Sequence, residues 1–218
     1  MKDIEKKIAQ IMLEKRTATF SCEQPYTLPS GLKSPIYTDN RKLLAYPSVR
    51  KLITQAMVDE IKEDFADVEV IAGVATGAVA WGSLVADALG KTFVYVRPRA
   101  KDLGREPKVE GVIEKGQKVV IIEDLISSGK SSLVTAEALH ACGAIVLGMV
   151  AIFSYNFTQT RRSFEYSNVE LHTLCNYEQL LEEAVNQGIL KEKDLDILKE
   201  WSIHPTTWAG IKPADNPK

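Results

Sequence analysis

Hydrophobic positions change their period along this chain, and each change predicts a different element. Ile4, Ile8, Ile11 and Met12 share one face of a predicted helix over residues 2–15, with lysines and glutamates opposite. That stripe is narrow, which suits packing on the rim of a core or against another subunit. From Arg16 to Asn40 no period survives: three prolines and a Ser30-Gly31 turn interrupt short β-favouring pieces, predicting an irregular or short-stranded cap. Pro47 then opens a helix that Val49, Leu52, Ile53, Ala56, Met57 and Ile61 continue on one face. Beyond it short apolar runs alternate with helical spacing. Strands are predicted at 68–72, 92–96, 119–123, 145–153 and 169–174, and helices at 78–89, 133–141 and 177–186. This alternation predicts an α/β fold with a mostly parallel central sheet flanked by helices, whose ligands bind beyond the carboxyl ends of the strands. From Trp201 onward the periodicity fades and the tail is expected to fray.

The most informative stretch is K-V-V-I-I-E-D-L-I-S-S-G-K-S-S at 118–132. Val119 to Ile122 predict a strand buried on both faces that stops at two acids, Glu123 and Asp124. A small polar turn, Ser127 to Ser132, leads into a helix. Such a turn aims unpaired backbone N–H groups and the positive end of a helix dipole at one point, which makes an anion cradle suited to phosphate. Two carboxylates beside that cradle would repel a bare phosphate. They call for sugar hydroxyls or a hydrated Mg²⁺ between them and the ligand. The nucleotide P-loop pattern G-x-x-x-x-G-K-S/T is absent.

Three further segments are expected at the same edge. Gly73-Val74-Ala75-Thr76-Gly77-Ala78 is a glycine-rich strand-to-helix turn, equally compatible with close packing and with an anion site. Arg97 to Lys108 carries five cations in twelve residues and no helical pattern, as a basic lid over a polyphosphate would, or a solvated loop. In the cap, Tyr37 could stack on a flat base and Lys33 could bond an acidic heterocycle.

Composition narrows the partners. The 218 residues carry a formal net charge of −2, so no global field draws the chain to nucleic acid or an acidic membrane. Cys22, Cys142 and Cys175 are odd in number and lack C-x-x-C spacing, which fits reduced thiols in a cytoplasm, with Cys142 at a buried helix end. No apolar run reaches the ~20 residues of a membrane span, and no signal-peptide core is present, so a cytoplasmic location is expected. His140 and His172 fall in predicted core elements and His204 in the tail, without a partner motif.

Read together, the segments carry a family resemblance. S-G-L-K-S-P-I-Y-T-D-N-R at 30–41, V-R-P-R-A-K-D-L-G at 96–104 with V-E-G at 109–111, and V-I-I-E-D-L-I-S-S-G at 120–129 resemble, in order and spacing, the orotate phosphoribosyltransferases. The last of these alone resembles the phosphoribosyl pyrophosphate motif of the wider type I phosphoribosyltransferases. The resemblance implies a single domain over 1–218, with an N-terminal hood at about 16–45, an α/β core at about 65–175 and a flexible catalytic loop at 97–109. It implies a Mg²⁺-dependent cytosolic enzyme of pyrimidine biosynthesis. Such an enzyme joins orotate to phosphoribosyl pyrophosphate, giving orotidine 5′-monophosphate and pyrophosphate. It also implies a homodimer with shared active sites, and no nucleic-acid or membrane partner.

Position by position, Glu123 and Asp124 resemble the acids that hold the ribose hydroxyls. Leu125, Ile126, Ser127, Ser128, Gly129, Lys130 and Ser131 resemble the 5′-phosphate loop, with Ser127 also near orotate. Arg97 and Lys101 resemble the cations on pyrophosphate, and with Asp124 they form the expected catalytic set; Tyr37 and Lys33 are expected on orotate. The Mg²⁺ is expected to be held mainly by substrate. Leu103 stands where many members carry His, and Pro98 and Pro29 where some bacterial relatives carry Lys; Arg99 and Arg105 return part of the charge. Two other readings stay open on the sequence: a non-catalytic phosphoribosyl pyrophosphate-binding regulator, and a phosphoribosyltransferase for another base.

Overall fold

The computed structural model describes residues 2–28, 30–97 and 108–210. The N-terminal third comprises α1 (Lys2–Glu14), β1 (Ala18–Phe20), β2 (Tyr26–Thr27), β3 (Lys33–Ser34), β4 (Ile36–Thr38), a 3-10 turn (Asn40–Ala45) and α2 (Pro47–Asp64). Next come β5 (Val70–Val74), α3 (Val79–Leu89), β6 (Thr92–Arg97), β7 (Lys108–Glu110), β8 (Lys118–Ile126) and α4 (Lys130–Ala141). The last are β9 (Ile145–Ser154), α5 (Thr158–Tyr166), β10 (Leu171–Asn176), α6 (Tyr177–Asn186) and α7 (Glu192–Ile203).

Six strands form the main sheet in the order β10-β9-β8-β5-β6-β7. All neighbours are parallel except β7, which runs antiparallel on the edge beside β6. Val119, Val120, Ile121 and Ile122 of β8 are 0 % exposed, as a β-branched run covered on both sheet faces must be. From this strand the chain winds outward in two directions, β9 and β10 on one side and β5, β6 and β7 on the other. The β5–β8 border is therefore a topological switch point, where the loops leaving the two strands part and open a crevice.

The cap lies outside this sheet. β1 pairs with β4 and β2 with β3 as two antiparallel pairs. Ile8, Ala9, Ile11, Met12 and Leu13 are all buried, so α1 buries a broader face than its four-residue stripe predicts, packing on α6 and β10.

Several sequence expectations are corrected. β8 does not stop at the acids but runs on to Ile126, because β9 keeps pairing with it through Glu123↔Ala151, Leu125↔Phe153 and Ile126↔Ser154. α4 begins at Lys130 rather than Leu133, since Gly129 takes a left-handed conformation (φ 71°) and starts the helix immediately. α5 was not predicted: in T-Q-T-R-R-S-F-E-Y only Thr160 and Phe164 turn inward, too few to show a period. α7, which the sequence reading does not predict, is anchored by Leu198 and Trp201 and reaches only the first three residues of the tail expected to fray. Cys142 is exposed, not buried, because it caps the solvent side of the turn by which Gly143 (φ 79°) leads the chain back to buried Ala144; His140 is exposed on the same helix end.

Candidate active site

Beyond the register pair Gly73↔Ile122, β5 no longer bonds to β8. The last four residues of β8 are thus tied on the β9 side alone, and the other side faces a cavity of about 250 Å³. Glu123, Asp124, Leu125 and Ser131 line it from the core, Val74 from the end of β5 with Ala75 and Gly77 from the loop after it, and Thr38, Asp39, Asn40 and Arg41 from the cap.

Alternation along β8 sends the two acids to different surroundings. Glu123 is 4 % exposed, takes a hydrogen bond from Ser132 Oγ at 2.9 Å on Oε2, and takes the Asp124 N–H at 3.1 Å on Oε1. Burial, and then the neighbouring Asp124 charge, push the Glu123 carboxyl well above the usual carboxylate range. Burial also raises Asp124, with the Arg41 guanidinium opposing it. A pair raised in this way lacks water and lacks a full set of donors. Hydroxyls or a cation placed in the cavity would supply them.

Gly77 shows how closely the β5 loop approaches. A Cβ built there would sit 2.5 Å from Asp124 Cγ, inside any real contact distance, so this position admits only glycine while Asp124 keeps its place. Gly73 serves packing instead: a Cβ there would meet the Ala78 carbonyl oxygen at 2.9 Å. Both glycines thus answer to close approach, Gly73 to backbone and Gly77 to the Asp124 carboxylate.

On the other flank, Ser127 and Ser128 are exposed and Gly129 is the N-cap of α4, with no side-chain cap bond. The first-turn N–H groups of α4 therefore present their partial positive charge to whatever sits over the loop. Thr160 of α5 donates to the Ser127 carbonyl at 2.7 Å and fixes the loop from below. Sequence reasoning missed Thr160, since nothing in a polar helix 33 residues away marks it as a support.

The cap contributes residues whose part the sequence does not announce. Asn40 Nδ2 donates to the Asp124 carbonyl at 2.8 Å, and Asp39 accepts from Arg41 Nε at 2.7 Å and from its backbone N–H at 3.3 Å. Arg41 is mostly exposed and lies near enough to feel the Asp124 charge. Tyr37 is 37 % exposed, one residue from the lining and tilted against Tyr26 at 5.9 Å between centroids. Lys33 is exposed and donates to Thr27 Oγ1 at 2.7 Å across β2–β3; neither it nor Tyr37 is among the residues that line the cavity. Ile126 is fully buried and Lys130 exposed at the helix start. Arg97 ends β6 and pairs with Glu110 of β7 at 2.5 Å. Lys101, with Pro98, Arg99, Leu103 and Arg105, lies outside the described residues, as does Pro29.

A mostly parallel sheet with its crevice at the switch point thus gathers an acid pair on the central strand and a small polar loop that opens into a helix. The model of the phosphoribosyl transferase domain family matches residues 39–178. An orotate phosphoribosyltransferase of Porphyromonas gingivalis is 48 % identical over 208 residues, covering 95 % of this chain and 99 % of that protein. One from Listeria innocua is 45 % identical, covering 94 % and 98 %. Among solved structures, an orotate phosphoribosyltransferase from Aeropyrum pernix superposes with a TM-score of 0.74 at 26 % identity, covering 84 % of this chain and 99 % of that one. The chain belongs to the orotate phosphoribosyltransferase family.

Proposed function

We propose that the cavity between Asp124, Gly77 and the Thr38–Arg41 strip is where this chain transfers a phosphoribosyl group from phosphoribosyl pyrophosphate to orotate, releasing pyrophosphate. The observation that carries this reading is the under-solvated acid pair, Glu123 and Asp124, set directly before an α4 N-terminus that has no side-chain cap. A ribose 5-phosphate satisfies both at once: its hydroxyls donate to carboxylates, and its phosphate accepts from the N–H groups of 127–131.

Substitution at the anomeric carbon passes through a cation-like ring, by analogy with glycosyl transfer. The protein's work is then to hold base and sugar in line and to place charge where the leaving group develops it. Asp124 and Glu123 are the proposed holders of the ribose hydroxyls, Glu123 from the more buried place in the cavity wall. Arg97 and Lys101 are the proposed cations for pyrophosphate. Arg97 is free to turn: its partner Glu110 is at the surface, and exposed pairs are worth ~0–1 kcal/mol, less than one contact to a multiply charged phosphate. Tyr37, Lys33 and Ser127 are the proposed orotate contacts.

The donor set suits a hard divalent cation, since Asp124 and Asp39 offer oxygen ligands beside the polyphosphate position. Bound with the substrate, Mg²⁺ neutralises charge on the departing pyrophosphate. We place the enzyme in the cytoplasm as a homodimer whose subunits share sites. Supporting this, α3 follows the Gly77 loop and exposes Leu84 with Ala80 and Ala88 on its outer face, and no described helix is long and apolar enough to cross a membrane.

The test is loss of orotate absorbance on mixing enzyme, orotate, phosphoribosyl pyrophosphate and Mg²⁺. Turnover that stops on chelation and returns with Mg²⁺ is expected. Uptake of the activated sugar without turnover would favour a regulator, and turnover of hypoxanthine or uracil in place of orotate would assign another base.

A further inference from the structure

One of the side-chain hydrogen bonds that tie the cap to the core is buried and joins residues 117 positions apart: Thr38 Oγ1 and the Tyr155 hydroxyl, 2.7 Å from each other. Thr38 ends β4 and lines the cavity. Tyr155 follows β9 directly, and its N–H donates at 2.9 Å to the carbonyl of Ile126, the last residue of the strand that carries the acids. Its ring is 8 % exposed and held on several sides. Phe157 stacks on it at 5.3 Å and 8°, while Phe153 and Trp201 meet it edge-on at 5.3 and 5.5 Å. A ring boxed in this way cannot swing, so its hydroxyl is a fixed point for whatever bonds to it.

Two residues further along the same strip, Asn40 donates to the Asp124 carbonyl. The orientation of this amide is not ambiguous, because a carbonyl partner requires the NH₂ end; its Oδ1 is buried and unpartnered among the described residues. Asp39 lies between these two ties, and Arg41 follows. We propose that Tyr155 is a positioning residue for the transfer reaction, clamping the 38–41 strip at a fixed height over the acid pair through its hydrogen bond to Thr38. This rests on the reading of the cavity as the transfer site. Without the clamp the strip keeps its β1 pairing at Thr38↔Ala18, the Asp39 N–H bond to the Thr17 carbonyl at 2.7 Å and the Asn40 tie, but loses its one side-chain bond to the boxed ring, so Asp39 and Arg41 are held less closely over the sugar.

The test uses Tyr155→Phe, which keeps the ring and its box, with Thr38→Val and the double variant. Tyr155→Phe is expected to weaken binding of phosphoribosyl pyrophosphate with Mg²⁺, measured calorimetrically, about tenfold, while KM for orotate at saturating sugar stays within about twofold. Thr38→Val should behave alike, Thr38→Ser should recover most of the loss, and the double variant should be no worse than either single one. Urea midpoints taken alongside separate positioning from folding, since general loosening would weaken both ligands together. Wild-type affinity for the sugar in Tyr155→Phe, or additive losses in the double variant, would overturn the clamp. A wild-type protein that neither binds the sugar nor consumes orotate would overturn the site reading instead.

Discussion

Gly77 offers the sharpest single perturbation, because one methyl group tests the position of Asp124. In Gly77→Ala the new Cβ would fall 2.5 Å from Asp124 Cγ and Oδ2, where ordinary contact starts at 3.4 Å. One partner must therefore retreat by roughly an ångström. Overpacking of this size costs about 1–3 kcal/mol of stability. The functional cost adds to it: a carboxylate displaced from a ribose hydroxyl forfeits a charged hydrogen bond of about 1.5–3 kcal/mol, or roughly 10- to 150-fold in kcat/KM for phosphoribosyl pyrophosphate. Gly148→Ala is the matched control. Its Cβ would meet Phe65 Cζ at 2.5 Å on β9, in the half of the strand away from the cavity, so it should lose similar stability. Urea midpoints and initial rates at varied sugar concentration read both quantities. Stability lost equally in both, with the sugar's kcat/KM lost only in Gly77→Ala, is the expected pattern. Equal kinetics in the two variants would refute the placement of Asp124 on the sugar.

Glu123→Gln should raise the urea midpoint at pH 7, by about 1–3 kcal/mol, the scale of relieving one poorly solvated buried group, while lowering activity. The sign follows from the raised folded-state pKa of Glu123: its contribution is fully present below the ordinary carboxylate pKa and is lost as pH rises through the folded value, so above the ordinary carboxylate range the glutamate costs stability that a non-titrating glutamine does not. A midpoint unchanged or lowered would contradict it. Thr160→Val, nearly isosteric, should cost about 1 kcal/mol and raise KM for the activated sugar several-fold by freeing the Ser127 carbonyl; an unchanged KM would remove Thr160 from the loop's support. Burial pushes His172 down, yet hydrogen bonds to Glu170 and Glu60 and the charge of Asp64 outweigh it and hold its pKa above the usual value. Stability from this cluster should be complete below pH ~6.5 and fade as pH rises through the folded pKa. His172→Asn should flatten that slope in urea midpoints measured from pH 5.5 to 8.5, and an unaltered slope would rule the cluster out.

Much of this was legible in the sequence because it is local. The β-branched run of β8, the acids after it and the small polar turn lie within fifteen residues, so period, charge and loop chemistry coincide in one window. The elements on either side of β8 alternate with enough apolar contrast to give the sheet. Three kinds of feature escaped. Polar helices such as α5 bury too little to show a period. Strand ends are set by a neighbour's pairing: β9 carries β8 past Asp124 although charge argues for a stop. The cap's ties, Thr38 to Tyr155 and Asn40 to Asp124, join residues 117 and 84 positions apart, and no spacing along the chain announces them. Cys142 failed for a related reason, since apolar character at a helix end does not tell which way the chain then turns.

If Asp124 and the amides beyond it hold one ribose phosphate, as proposed, removing the Asp124 charge must weaken binding of that ligand. Calorimetric titration of phosphoribosyl pyrophosphate with Mg²⁺ into the wild-type protein and into Asp124→Asn, both checked by urea midpoint, tests it most directly. Saturable one-site uptake by the wild type, weakened about tenfold or more in the variant, is the predicted result. Equal affinity in two equally folded proteins would contradict it.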